Sequence, residues 1–212
     1  MLASEDIPEN DPWWFRQPIS GNAVTSILDK PTQRAAFRQI RDSYVDNLTD
    51  RDRALAFSKV PSPLAKILAP GKIVAGYVAK GSEVDPAAIL AQAHAMGCDL
   101  ALPHVTSKSA PMRFLRWSPD DDLVPGAFGL LQPAETAPEC KPDIVLVPML
   151  AYDDRLIRLG QGAGHYDRAL SVLDQSIAIG LAWSVQFTSA LASDIWDVPL
   201  DAVLTEKSWI TL

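Results

Sequence analysis

Residues 143–147 read Asp-Ile-Val-Leu-Val and end in Pro148; residues 158–168 read Arg-Leu-Gly-Gln-Gly-Ala-Gly-His-Tyr-Asp-Arg. After Asp143 the first run is wholly apolar and short, the pattern of a strand covered on both faces. The second places three glycines at alternate positions, Gly160, Gly162 and Gly164, leading into the first turn of an expected helix over 163–173. Glycines at this density let backbone approach a ligand and take positive φ. Consecutive N–H groups can then line a concave anion site, with the following helix N-terminus behind them. Arg158 supplies a fork of donors to such an anion, and Asp167 a carboxylate for a metal on the same phosphates. Two better-known phosphate cradles do not fit. There is no Gly-Lys-Ser/Thr, and the spacing is G-x-G-x-G rather than G-x-G-x-x-G. A plain strand-to-helix turn remains the bland alternative.

Outward from this segment the chain alternates. Strands are expected at 72–78 (KIVAGYV), 99–102, 112–117 (MRFLRW), 177–183 (IAIGLAW) and 202–205, with an alanine-rich helix at 86–96. Asp29 and Pro31 mark the start of a helix running to about residue 47 that carries Lys30, Arg34, Arg38 and Arg41. A further helical stretch from about residue 49 breaks at Pro61 and Pro63. The pattern predicts an α/β fold: one domain over 28–212, a largely parallel central sheet flanked by helices, and ligands at the carboxyl ends of the strands. The glycine run, following 143–147, falls at that end. Residues 1–27 read as an extension, proline-rich and with an aromatic knot at Trp13, Trp14 and Phe15.

The 212 residues suffice for one sizeable core, and 48% hydrophobic with 21% charged residues is an ordinary globular balance. A formal charge of −7 argues against nucleic acid as a partner. No apolar run reaches membrane-spanning length, so no membrane partner is expected. Two isolated cysteines, Cys98 and Cys140, form neither a disulfide framework nor a zinc motif, which suits a reducing cytoplasm.

Four blocks of sequence together resemble the 5-formyltetrahydrofolate cyclo-ligase family, also called methenyltetrahydrofolate synthetase. They are residues 30–34 (KPTQR), 76–85 (GYVAKGSEVD), 147–167 (from VPMLAYD to RLGQGAGHYD) and 196–205 (WDVPLDAVLT). The resemblance spans about 28–207 and implies an ATP- and Mg²⁺-dependent ring closure. The formyl oxygen of 5-formyltetrahydrofolate takes the γ-phosphoryl group of ATP. N10 then attacks the activated carbon, giving 5,10-methenyltetrahydrofolate, ADP and phosphate. Such phosphoryl transfer is mostly positioning and charge stabilisation.

By matching positions, the resemblance implies ATP binding by Lys30, Pro31, Thr32, Gln33 and Arg34, and by Arg158, Leu159, Gly160, Gln161, Gly162, Ala163, Gly164, His165 and Tyr166. Lys30, Arg34 and Arg158 would serve catalysis. Gln161 to His165 would also touch the folate, with Val78 and Glu83 at its pterin. Asp167 and Asp197 would hold Mg²⁺. Tyr152, Trp117 and Phe128 are candidate stacking surfaces, although core packing is the commoner fate of such rings. The partners expected are small molecules only, acting on a monomer. The chain departs from the family at three places. Trp196 stands for a usual histidine, Gln132 for a usual glutamate, and His165 for the first of a tyrosine pair. A relative that binds these ligands without turnover, or an unrelated phosphate-ligand enzyme on a similar sheet, are the competing readings.

Overall fold

The computed structural model describes residues 29–212; the extension over 1–27 and its aromatic knot lie outside them. In chain order the elements are α1 (Lys30–Asp46), α2 (Asp50–Leu55), α3 (Ser62–Ala65), β1 (Ile73–Ala75), α4 (Ala87–Ala95), β2 (Asp99–His104) and β3 (Arg113–Trp117). There follow β4 (Val124–Pro125), β5 (Leu131–Gln132), β6 (Glu139–Cys140), β7 (Ile144–Pro148), β8 (Ala151–Tyr152) and β9 (Arg158–Leu159). The chain closes with α5 (His165–Leu170), β10 (Ile177–Leu181), β11 (Ala202–Leu204) and β12 (Trp209–Ile210).

Eight strands form one sheet in the order β12-β11-β10-β7-β1-β2-β3-β6. The five inner strands from β11 to β2 run parallel, and β12, β3 and β6 are antiparallel additions at the two edges. Strand alternation sorts the core into two faces. Val74, Leu100, Ile144, Leu146, Ile179 and Leu181 meet Ile89, Leu90 and Ala93 of α4 on one side. Ala75, Ala101, Val145, Val147, Ala178 and Val203 meet Ala169 and Leu170 of α5 on the other. The expected α/β architecture is therefore present, with antiparallel edges that the strand pattern did not distinguish.

Several boundaries differ from expectation for local reasons. β1 stops at Ala75; Gly76 still donates to Ala101 O (3.0 Å), but a side chain there would collide with Leu90, and the chain then leaves the sheet. β2 continues through Pro103, because there it pairs only with β3 and its missing N–H costs no ladder bond. The expected helix over 163–173 is confined to the six residues of α5. So short a helix contributes little dipole, and the anion cradle must rest on the loop and its side chains.

Two branches leave the centre of the sheet in opposite directions. β1 leads to β2 on one side; β7, on the other side of β1, leads to β10 and β11. The crevice beyond the ends of β1 and β7 is thus a topological switch point, the place where open parallel sheets bind ligands. Asp153 secures the branch after β7. It is 0% exposed. Its carboxylate accepts from the backbone N–H groups of Arg155, Ile157 and Leu191 and from the Arg155 guanidinium. One side chain therefore closes the β8–β9 turn and anchors the segment leading to Asp197. Asp153→Ala would leave three backbone donors unpaired in a dry site, and is expected to lower stability by about 3–5 kcal/mol. Urea denaturation monitored by tryptophan fluorescence measures this.

Candidate functional site

A cleft of about 1280 Å³ opens at the switch point. Its wall includes one face of α1, the chain following β1, the glycine loop following β9, the β4–β5 turn and the segment over 194–199. Asp29 caps α1 by accepting from the N–H of Thr32 (2.8 Å), with Pro31 in the first turn. Lys30, Arg34, Arg38 and Arg41 then all border the cleft. Their spacing of i, i+4, i+8 and i+11 places them along one stripe. Pro31, Thr32 and Gln33 do not border it; Gln33 is buried and accepts from Ala192 N at 3.2 Å.

The glycine loop lies against this stripe. Arg34 Nε donates to Gly160 O at 2.9 Å, and Arg38 Nη2 to Gln161 Oε1 at 2.9 Å. Gly162 has φ +101°, and a Cβ there would lie 3.2 Å from the Arg34 guanidinium carbon. Glycine is needed at this position on both counts. Gly164 (φ +67°) then turns the chain into α5. Leu159 through Tyr166 all border the cleft, as do Val78 and Glu83 from the β1 side.

Arg158 is 6% exposed. It donates to Val198 O (2.5 Å) and to Asp167 Oδ1 (2.6 Å), so it ties the glycine loop to the Asp197 segment. Burial lowers its pKa and the neighbouring Asp167 opposes this; arginine remains charged. Lys30 donates to Asp194 Oδ2 (2.7 Å) and Asp197 Oδ2 (2.6 Å). Burial works against the ammonium, but these two hydrogen bonds prevail and its pKa is raised. Burial and then Arg168 lower the pKa of His165, which favours a neutral ring. Burial, followed by the Glu83 charge, pushes the Tyr166 phenol up, so it stays protonated.

The two aspartates predicted for metal sit at one end of the cleft. Asp167 uses Oδ1 for Arg158 and Val198 N, and Asp197 uses Oδ2 for Lys30 and Asp194 N. Asp167 Oδ2 and Asp197 Oδ1 accept no hydrogen bond from the described residues. No group of three or more acidic, histidine or cysteine side chains suited to a metal occurs among the described residues. Two half-used carboxylates fit Mg²⁺, which keeps several waters and usually takes one or two protein carboxylates beside phosphate.

The aromatic candidates divide. Tyr152 is buried in the core against Phe187, and Trp117 packs at the core margin; neither borders the cleft. Phe128 does border it, exposed at the β4–β5 turn with φ 60° and its ring 6.2 Å from that of His165. A non-glycine residue held there is strained, as residues at ligand sites often are. Sequence reading named Arg38 and Arg41 on the helix but gave them no role. Their helical register with Lys30 and Arg34 was the available signal.

Comparison with known proteins agrees with this arrangement. The profile of the 5-formyltetrahydrofolate cyclo-ligase family matches residues 27–206. The 5-formyltetrahydrofolate cyclo-ligase of Haemophilus influenzae is 31% identical over 141 residues, 63% of this chain and 75% of its own length. That of Mycolicibacterium smegmatis is 33% identical over 151 residues, 66% of this chain and 76% of its own. The structure of a 5,10-methenyltetrahydrofolate synthetase from Aquifex aeolicus is similar with a TM-score of 0.69 at 28% identity, covering 87% of this chain and 93% of its own. One from Mycoplasma pneumoniae, at 23% identity and a TM-score of 0.65, shares the fold over 84% of this chain and 99% of its own. With the profile match running from the start of α1 to beyond β11, the chain belongs to the 5-formyltetrahydrofolate cyclo-ligase family.

Proposed function

We propose that this protein is a C–N bond-forming ligase that closes 5-formyltetrahydrofolate to 5,10-methenyltetrahydrofolate, using ATP and Mg²⁺ and releasing ADP and phosphate. The observation that carries the reading is the cation stripe of α1 lying against the glycine loop at the switch point. The formyl group is an amide and its oxygen leaves poorly. Phosphorylation of that oxygen makes it a leaving group, and N10 then attacks the carbon.

In this reading Lys30, Arg34 and Arg158 attract and orient the triphosphate, and the loop over 160–164 keeps it close by backbone contact. Arg158 is fixed from both sides before ATP arrives, so its orientation costs nothing at the moment of reaction. Asp167 and Asp197 would hold Mg²⁺, which when bound neutralises phosphate charge. Asp197 would then serve two cations, Lys30 through Oδ2 and the metal through Oδ1. Val78, Glu83 and Phe128 take the pterin. Glu83 is an acceptor suited to its N–H edge, and Phe128 offers a face for the ring. All these residues come from one chain, and activity is proposed for a monomer. Among the described residues no helix is long and apolar enough to cross a membrane, and Cys98 and Cys140 are free thiols. A reducing cytoplasm is the proposed setting.

The test is direct. Folded protein with 5-formyltetrahydrofolate, ATP and Mg²⁺ is expected to generate the near-ultraviolet absorbance of the methenyl product, and omission of ATP to abolish it. No product at saturating ATP and Mg²⁺ would sink the proposal in favour of a ligand-binding relative. Arg34→Ala removes one charge-assisted phosphate contact of about 1.5–3 kcal/mol, so KM for ATP should rise by roughly tenfold to a hundredfold. Asp197→Asn should raise the Mg²⁺ concentration needed for half-maximal rate while leaving KM for the folate unchanged. Titration of metal at fixed ATP reads this, and an unchanged Mg²⁺ requirement would remove Asp197 from the metal site.

A further inference from the structure

Arg41 has no part in the scheme above, yet it borders the same cleft. Its position on α1 is core-facing: Val45, one turn on, is buried, and Arg41 itself is 4% exposed. An apolar side chain would be the inexpensive choice there, since a buried guanidinium must satisfy five N–H groups. Arg41 satisfies only some of them. Nε donates to Ser82 Oγ at 2.8 Å, in the chain that follows β1. Nη1 reaches Met149 O, just beyond β7, at 3.5 Å. Nη2 donates to nothing among the described residues. The guanidinium therefore spans the switch point with donor capacity to spare, and it borders the cleft.

Beside it stands Glu83. Its Oε2 accepts from Lys80 N at 3.0 Å. Oε1 lies 3.9 Å from Arg41 Nη1 and accepts a long hydrogen bond of 3.4 Å from Gln161. Asp42 is the other carboxylate near Arg41, at 4.0 Å, and it also accepts a short hydrogen bond from Ser82. The crevice thus offers a carboxylate acceptor and a guanidinium donor side by side. A 2-amino-4-oxopyrimidine ring carries the complementary pattern along one edge: two donors, the 2-amino group and N3–H, next to one acceptor, the 4-oxo oxygen.

We infer that Arg41 is a specificity-determining residue that donates to the 4-oxo oxygen of the pteridine while Glu83 accepts from its N–H edge, so that the site selects 2-amino-4-oxo over 2,4-diamino pteridines. This rests on the folate reading of the cleft and on Glu83 as its carboxylate. A 4-amino group would point N–H at the Arg41 donors, leaving both sides unpaired. Rejection of that kind is stronger than the loss of a single contact.

The probes are folic acid and aminopterin, which differ in the 4-substituent and, with it, in the N3 proton that only the 4-oxo ring carries. Binding of each to the full chain is measured by calorimetry, at a pH where the diamino ring is neutral. The wild type is expected to prefer folic acid by about tenfold or more, and tenfold corresponds to about 1.4 kcal/mol. Arg41→Gln, whose amide can donate or accept, should lower the ratio, leaving the part that Glu83 draws from N3–H, with ATP affinity unchanged. Arg41→Lys keeps a donor and should keep part of the preference. Equal binding of the two probes by the wild type overturns the inference, whatever the variants do. So does a loss in Arg41→Gln that is the same for both probes, since that is what a plain structural pin would give. A wild type that binds ATP but neither pteridine overturns the inference together with the folate reading, and is recognisable as that separate result.

Discussion

Adjacent strands β1 and β7 end side by side, and the chain leaves them in opposite directions. This split in the connections is the constraint on which the site depends. A continuous parallel sheet with same-sense crossovers would cover its strand ends; here the reversal opens a crevice that no crossover can fill. α1 lies across it, held to the far side by Phe37 against the cluster of Leu150, Leu159 and Leu191, and to the sheet face by Val45. Hydrophobic contacts at the middle and the C-terminal end of the helix thus leave its charged stripe stretched over the opening. From Lys30 to Arg41 this stripe spans about 16 Å at about 1.5 Å per residue, enough to serve a triphosphate at one end and a ring at the other.

Charge is concentrated to match. The chain as a whole carries −7. The cleft wall nevertheless presents more cationic than acidic side chains, with four of its cations on α1 alone. Two anionic ligands can therefore be drawn to an acidic protein by a local field. The acids that do border the cleft are placed against specific cations. Asp197 holds Lys30, Asp167 holds Arg158, and Glu83 faces Arg41. Each cation is kept charged and oriented, and each carboxylate retains an oxygen or a weakly used one for a ligand.

Much of this was legible in the residues, for reasons that differ between segments. The run over 144–147 is apolar on both faces because β7 lies in the middle of the sheet, and such a strand cannot be mistaken for a surface element. Gly162 and Gly164 announced themselves through backbone conformations that other residues avoid. The two-residue strands β6 and β12 were illegible, since pairing so short depends on a neighbour already in place. The extent of α5 was overestimated because its alanine and leucine suit a helix for longer than its packing supports. Arg41 was passed over for a related reason. A charge on a helix is normally solvated, and only the tertiary fold turns that position inward.

The departures from the family pattern acquire meaning in the same way. Gln132 is buried beneath the β4–β5 turn and accepts from Val105 N at 3.0 Å; it does not border the cleft. A glutamate could accept that same hydrogen bond, so the amide preserves the tie between the end of β2 and the turn that presents Phe128, while removing a buried charge. The substitution therefore leaves the reacting side of the wall intact. Trp196 differs in kind. It is 66% exposed and borders the cleft between Asp194 and Asp197, the two partners of Lys30. An indole there cannot titrate as histidine does. The carboxylates that Lys30 engages are unaltered. Lys30, Arg34, Arg158, Asp167 and Asp197, the charged residues assigned above to phosphate and metal, are all present beside both changes.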